Sequence, residues 1–345
     1  MWLKDCWYVI AWEHEIPAQG LFTRRVLNEP ILVYRSRQGL VALEDRCCHR
    51  LAPLSKGQRE GDAVRCGYHG LMFDTDGRCI EAPGCDVIPA KARVRTYPIV
   101  SHNRWVFVWM GDPARADPAL LPDNLSCDHP DWTYQPGYLH YDTPYLLICD
   151  NLLDFSHLSY VHAGTLGGAT AIAQAKPQIE RLPHGIRVTR HVADVPPSPF
   201  WQTFQTFHGN VDRWFIYDFV LPGTLLMSSG GRPVGNAPDD MTGGIAMHSC
   251  QTLTPETETT THYFFQQAHR STIRDPAVTA AVYAGLLQAF EEDRDMITAQ
   301  YAAMKDSPAA PMVAMGMDVA LIQFRRLLEA RVAAEQQADA AAVVP

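Results

Sequence analysis

Runs of β-branched and aromatic residues, broken by turn signals, fill the first third of the chain. Ile31-Leu32-Val33-Tyr34-Arg35 and Leu40-Val41-Ala42-Leu43 flank Ser-Arg-Gln-Gly, which predicts a hairpin. Leu71-Met72-Phe73 and Arg78-Cys79-Ile80 flank Asp74-Thr75-Asp76-Gly77, a second hairpin with glycine supplying the turn geometry. Trp105 to Met110 reads as a further strand. Gly111-Asp112-Pro113 breaks it, and a stretch rich in proline and aspartate follows. A domain boundary is expected there, dividing the chain into 1–113 and 114–345. Beyond it the pattern changes. Cys149 to His162 reads as helix, with Leu152, Leu153, Phe155, Leu158 and Val161 as its apolar content. From about Ile186 to Phe265 the pattern is mostly strand. Pro276 suits the first turn of a long helix reaching about Ala303. Another helix starts near Asp318 and enters an Ala- and Gln-rich tail whose end is expected to fray. Strands followed by helices within one segment predict an α+β domain.

Composition narrows the function classes. The 345 residues are 47% hydrophobic and 19% charged, enough to bury a sizeable core. A formal net charge of −9 argues against a nucleic-acid partner, which would want a basic face. No apolar run approaches the ~18–20 residues that span a bilayer. The start, Met1-Trp2-Leu3-Lys4-Asp5-Cys6, lacks the basic-then-apolar pattern of a signal peptide, so a cytoplasmic location is the expectation. Nine cysteines, an odd number, favour reduced thiols and metal ligands over a disulfide framework. Most are expected to be small buried hydrophobes.

Two cysteines stand in a more informative pattern. Cys47-Cys48-His49 is followed, after 16 residues, by Cys66-Gly67-Tyr68-His69. Two thiolates and two imidazoles on a pair of short loops can hold a structural zinc. They can equally hold a Rieske [2Fe–2S] cluster, with both cysteines on one iron and both histidines on the other. Each loop pairs one Cys with one His, so each can reach both irons, and the flanks supply turn-forming and small residues. A zinc finger pairs Cys with Cys and His with His in a ββα pattern that is missing here. The cluster is the favoured reading.

A second constellation is Asp150-Asn151-Leu152-Leu153-Asp154-Phe155-Ser156-His157-Leu158-Ser159-Tyr160-Val161-His162. On a helix, Asp154 and His157 share a face. His157 and His162, five apart, reach one metal only if the helix ends, bulges or widens between them. Two ordinary histidines near a helix end is the plainer reading of that spacing. A facial triad also needs a carboxylate. Of the four acids Glu291, Glu292, Asp293 and Asp295, only Asp293 falls on the apolar stripe with Val282, Leu286, Ala289, Phe290, Met296 and Ile297. Glu292 lies at its edge, and the other three acids suit a solvated face. A carboxylate on such a stripe needs compensation, which a metal or a basic partner supplies equally well.

Taken together, these residues resemble the oxygenase component of Rieske non-haem iron oxygenases, nearest the aromatic demethylases and methyl hydroxylases. The likeness covers nearly the whole chain. It includes Cys6-Trp7-Tyr8-Val9, the two Cys/His loops, Trp109-Met110-Gly111-Asp112-Pro113, Asp150 to Asp154, Leu253-Thr254-Pro255-Glu256 and Phe290-Glu291-Glu292-Asp293. The resemblance implies an all-β Rieske domain beside a helix-grip catalytic domain with a curved antiparallel sheet. It implies that Cys47, His49, Cys66 and His69 bind the cluster and that His157, His162 and Asp293 bind a mononuclear Fe(II). It makes Asp154 the acid linking His157 to His69 of a neighbouring copy in a head-to-tail homotrimer, and puts Asn151 near the iron. Cys48 stands where many relatives have proline and is read as inert packing. Gln251 stands where the dicamba-type pattern has histidine, which argues against dicamba as substrate.

The implied reaction is monooxygenation of an O-methyl or C-methyl group on a small aromatic acid, with O₂. Gly164-Thr165-Leu166-Gly167-Gly168 lacks dinucleotide-binding spacing, so electrons from NAD(P)H are expected through a separate flavin/iron–sulfur reductase. His248 and Gln251 are candidate substrate contacts. Arg213 and Arg270 are candidates for meeting the acid group. Ring dihydroxylation, a Rieske electron carrier and a zinc-stabilised binding module are the rival readings.

Overall fold

The computed structural model describes residues 2–270, 273 and 275–343. The chain forms two compact units, Met1–Leu121 with Thr254–Glu258, and Pro122–Leu253 with Thr259–Pro345. In the first unit, β1 (Trp7–Trp12), β2 (Phe22–Val26), β3 (Glu29–Ser36) and β4 (Gly39–Glu44) precede β5 (Gln58–Glu60) and β6 (Ala63–Arg65). Then come β7 (Met72–Phe73), β8 (Cys79–Glu81), β9 (Ile99–His102) and β10 (Trp105–Trp109). They make three antiparallel sheets, in the orders β1-β10-β9, β2-β3-β4 and β5-β6-β7-β8. Both expected hairpins form: β3 turns into β4, and Asp74 to Gly77 joins β7 to β8. The core draws on two of these sheets, with Leu32, Tyr34, Leu43, Val64 and Phe73 closing around Cys47 and Cys66. The Cys47 and Cys66 thiols are therefore rooted in apolar packing, not hung on free loops.

The second unit carries β11 (Trp132–Thr133), β12 (Gly137–Tyr141), α1 (Tyr145–Leu153), α2 (Ala171–Gln174), β13 (Gln178–Leu182) and β14 (Gly185–Val195). After these come α3 (Pro199–Gln202), β15 (Val211–Val220), β16 (Thr224–Pro233), β17 (Ile245–Pro255), β18 (Thr261–Arg270), α4 (Pro276–Asp306) and α5 (Val319–Val343). Its eight strands form one sheet in the order β11-β18-β17-β16-β15-β14-β13, with β12 also paired to β18. This α+β architecture with antiparallel sheets agrees with the expected fold class. Strict alternation explains how the sheet presents a face. In β15 the buried positions are Val211, Arg213, Phe215, Tyr217 and Phe219, every second residue. Helix α4 starts as expected: Asp275 caps it through Ala277 N at 2.9 Å, and Pro276 takes the first turn.

Three expectations change. The helix predicted over Cys149 to His162 starts earlier, at Tyr145, and stops at Leu153. Met296 is exposed, so the apolar stripe of α4 runs Val282, Leu286, Ala289, Phe290, Asp293, Ile297. The tail stays helical to Val343, although α5 buries Phe324, Leu327, Leu328 and Val332 only along its first half, and the last two residues lie outside those described. No helix among the described residues is long and apolar enough to cross a membrane.

Candidate metal centres and their cavity

The two Cys/His loops are one turn used twice. In the first, Cys47 N donates to Ala52 O at 2.8 Å and Leu51 N to Cys47 O at 2.9 Å. In the second, Cys66 N donates to Leu71 O at 2.8 Å and Gly70 N to Cys66 O at 3.0 Å. The fourth residue after each cysteine is left-handed: Leu51 at φ 57° and Gly70 at φ 76°. Neighbours pin both turns. Buried Asp45 accepts from Ser55 N at 2.7 Å, Ser55 Oγ at 2.6 Å and Thr23 Oγ1 at 3.0 Å. Arg65 donates to Gly70 O at 2.8 Å and pairs with Glu60 and Glu81. Gly67 is required by the close approach of the loops, since a Cβ there would lie 2.7 Å from Lys56 O.

Cys47 and Cys66 are buried, whereas His49 and His69 are exposed with ring centroids 4.6 Å apart. The donors thus fall into an inner thiol pair and an outer imidazole pair. A tetrahedral zinc would draw all four within roughly 4 Å of one another. Among the described residues, the group with three donors mutually within 4.8 Å is a different one, His157, His162 and Asp293. The four loop donors do not converge on one point, and a binuclear cluster fits them where a single zinc does not. Burial is the main cause pushing the Cys47 thiol up to about 11, a cost that iron ligation removes by holding thiolate. Cys48 is exposed, which corrects its reading as packing.

The second donor set owes its geometry to the end of α1. Asp154 leaves the helix at φ −129°, ψ 95°, and its carboxylate caps a tight 3₁₀ turn, Phe155–Ser159, through Ser156 N at 2.9 Å. Asp154 and His157 therefore do not share a helix face. His157 Nδ1 bonds instead to the Asp154 main-chain oxygen at 2.5 Å, while the carboxylate takes Ser156 Oγ at 2.6 Å and lies 3.8 Å from Arg190. The break in the helix is what brings His157 and His162 to one place. Their rings sit 5.1 Å apart, and their Nε2 atoms lie 3.6 and 3.1 Å from Asp293 Oδ1. Asn151, on the last turn of α1, donates to the same Asp293 oxygen at 2.9 Å. Two imidazoles and one carboxylate aimed at a common point fit a facial triad. Burial lowers the His157 pKa despite Asp293 beside it. At His162 burial pulls the same way, but Asp293 and Glu292 outweigh it and raise the pKa.

These three residues form part of the wall of a cavity enclosing about 590 Å³ of atom-free space, counting its mouth. The rest of the wall is mainly apolar, with Phe155, Phe200, Trp201, Phe215, Leu286 and Phe290, and carries polar points at Arg213, Ser229, Gln251 and Gln267. Gln251 is buried, accepting from Tyr263 Oη at 2.6 Å and donating to Ser249 Oγ at 3.0 Å. His248 is not part of this wall. It has the opposite parity on β17, where its ring packs 4.3 Å from that of Trp132, so it does not share this cavity with Gln251, the other candidate for contact with substrate. Arg270 likewise lies outside, exposed over Trp132. Glu291 and Asp295 are exposed as expected, but Glu292 departs from the solvated-face reading: it accepts from His162 Nδ1 at 2.8 Å and Thr165 Oγ1 at 2.9 Å. Its place at the stripe's edge was the available signal. For Arg213 the signal was the two-residue alternation of β15.

Comparison with known proteins agrees with this arrangement. Residues 6–98 match the Rieske [2Fe-2S] domain, and residues 141–334 match the vanillate O-demethylase oxygenase C-terminal domain. The toluene-4-sulfonate monooxygenase system iron-sulfur subunit of Comamonas testosteroni is 47% identical, over 97% of this chain and 98% of its own. A vanillate O-demethylase oxygenase subunit of a Pseudomonas species is 34% identical, over 91% and 98%. The crystal structure of dicamba monooxygenase bound to dicamba superposes with a TM-score of 0.87 at 30% identity, over 98% and 99% of the two chains. With a Rieske domain, a vanillate-type C-terminal domain and candidate donors for both iron centres, the chain belongs to the Rieske non-haem iron oxygenases, as the oxygenase component of a monooxygenase.

Proposed function

We propose that this chain hydroxylates a methyl group, carried on carbon or on oxygen, of a small aromatic acid. The observation that carries the reading is the cavity itself: a wall of aromatic and aliphatic side chains with His157, His162 and Asp293 on one side. The 47% identity to the toluenesulfonate system favours a methylarene acid among these substrates. The cluster domain is assigned to 1–113 and the catalytic domain to 114–345, supported by the two family matches, which fall on either side of residue 113.

When bound, the cluster supplies electrons singly and the mononuclear iron supplies the centre at which O₂ and a methyl C–H bond react. In the proposed site Cys47, His49, Cys66 and His69 hold the first, and His157, His162 and Asp293 hold one face of the second. Asn151 steadies Asp293, and Glu292 fixes the proton of His162 on Nδ1, leaving Nε2 free to ligate. The apolar wall excludes water and orients the ring. Gln251 and Gln267 supply polar contacts at its edge. Overall, one O₂, two electrons and two protons convert a methyl group to a hydroxymethyl group plus water. An aryl O-hydroxymethyl product then loses formaldehyde to give a phenol, whereas a benzylic alcohol persists.

The electrons reach the chain from a separate reductase. Within the proposed homotrimer, His69 of one copy faces Asp154 of the next, and Asp154 leads to His157 through its own main chain. The exposure of His69 and the partial exposure of Asp154 support such a contact. The test is a panel of methyl- and methoxy-benzoates and benzenesulfonates with NADH and a surrogate reductase, scored for O₂ uptake, formaldehyde, benzylic alcohol and cis-diol. Alcohol or formaldehyde is the expected product. A cis-diol, or turnover without a second protein, would overturn the reading.

A further inference from the structure

Arginine is an odd choice at position 213. It occupies an inward position of β15, between Val211 and Phe215, and is only 2% exposed. Arg213 forms part of the wall of the cavity that His157, His162 and Asp293 also line. Its partners are all neutral. Nη1 donates to Gly167 O at 2.6 Å and Nη2 to Leu166 O at 2.9 Å. The rings of Trp201 and Phe215 lie 4.7 and 5.2 Å from its central carbon and cover it with aromatic surface. Nε is buried and has no partner.

The other well-buried arginine among the described residues shows what is missing. Arg190, 4% exposed, has the carboxylate of Asp154 3.8 Å away. Among the described residues no carboxylate stands within 4.0 Å of Arg213. Burial alone pulls its pKa down, to about 10, which still leaves it cationic at neutral pH. A buried cation without a counter-charge is costly, and aromatic faces and two carbonyls compensate it only in part. The five N–H groups of a guanidinium are arranged to fork onto an oxyanion, and here two are spent.

We propose that Arg213 is the anchor for the substrate's acid group, its free N–H edge receiving the carboxylate or sulfonate of a methylarene acid. This rests on the cavity being the substrate site, as proposed above. The anchor would fix which end of the ring is turned away from the metal ligands, making Arg213 a specificity-determining residue. The bonds to Leu166 and Gly167 give it a second, structural task, bracing the loop that follows His162. That task accounts for the Nη atoms but not for the unpaired Nε.

The experiment separates the two tasks. Holoenzyme without reductase is titrated calorimetrically with 4-methylbenzenesulfonate and 4-methylbenzoate, and with their neutral amides. The wild type is expected to prefer each acid over its amide. R213M should weaken acid binding at least about thirtyfold and amide binding less than about threefold. R213K, which keeps the charge and loses the fork, should fall between for the acids. Equal losses for acid and amide, in R213K as well as R213M, would overturn the proposal in favour of bracing alone. Where R213M fails to fold or to hold iron, R213K and the wild-type preference decide. A wild type that binds acids selectively yet oxidises no methyl group fails the functional reading and not the anchor. One that oxidises methylarenes with no preference for acids fails the anchor alone.

Discussion

Glu292 accepts a hydrogen bond from His162 Nδ1 at 2.8 Å, and the opposite ring nitrogen of His162 points at Asp293 Oδ1, 3.1 Å away. A carboxylate can only accept there, so a proton sits on Nδ1, and Nε2 is the ring nitrogen left for a metal that would stand between His162 and Asp293. Glu292 also takes the Thr165 hydroxyl, so the acid, the histidine and the loop after it are tied together. Glu292→Ala should lower apparent iron affinity by about 10–100-fold, and Glu292→Gln, which keeps a carbonyl acceptor, by less. Competition with a chelator measures this while the visible absorption of the cluster stays constant. Unchanged affinity in Glu292→Ala would remove the residue from the site.

Asp293 is a buried carboxylate whose described partners are Asn151, His157 and His162. Asp293→Asn keeps the volume and loses the charge that a divalent iron needs. It should cost the protein about one iron per chain and its hydroxylation activity, with the cluster intact. Metal analysis beside visible absorption checks this. Full iron content in the variant would mean that another group completes the triad.

Cys66 belongs to the core of the first unit, and its backbone closes the second loop. Cys66→Ser should abolish the visible absorption of the cluster and turnover, while leaving iron at the His157 site. A variant that stays coloured would contradict the ligand set.

Asp150 pairs with Arg325 through two hydrogen bonds, Nε to Oδ1 at 2.9 Å and Nη2 to Oδ2, which fastens α5 to α1. Burial holds the Asp150 carboxyl above its ordinary value, and Arg325 pulls it back down. Arg325→Met leaves that carboxylate alone and should destabilise by about 2 kcal/mol near neutral pH, less than for a fully buried pair because both partners keep some solvent contact. Without arginine the folded-state value rises further above the unfolded one. Proton uptake then favours the fold, so the loss is largest above that value and shrinks as pH falls through it. Thermal melts of both proteins across mildly acid to neutral pH would show the gap closing. A gap independent of pH would mean that the effect is lost packing alone.

Much of this protein was written in local pattern. The hairpin from β3 to β4, the strand at Trp105, the Pro276 helix start and the apolar stripe that contains Asp293 follow from periodicity and turn residues, which act over a few positions. The Cys47-Cys48-His49 and Cys66-Gly67-Tyr68-His69 spacing named the candidate cluster donors for the same reason. The sequence left open whether His157 and His162 could share a metal, because helical spacing separates them. A helix end set by Asp154, not a bulge, joins them. Glu292 and Arg213 were ambiguous since each is defined by what stands opposite it from more than 40 residues away: His162 for one, the carbonyls of Leu166 and Gly167 for the other. His248 and Gln251 looked equivalent as letters, and only the register of β17 in the sheet put one in the cavity and the other behind it. Local sequence determined which elements form and which donors exist. Tertiary packing decided which of those donors face the same space, because burial and convergence are properties of residues far apart in the chain.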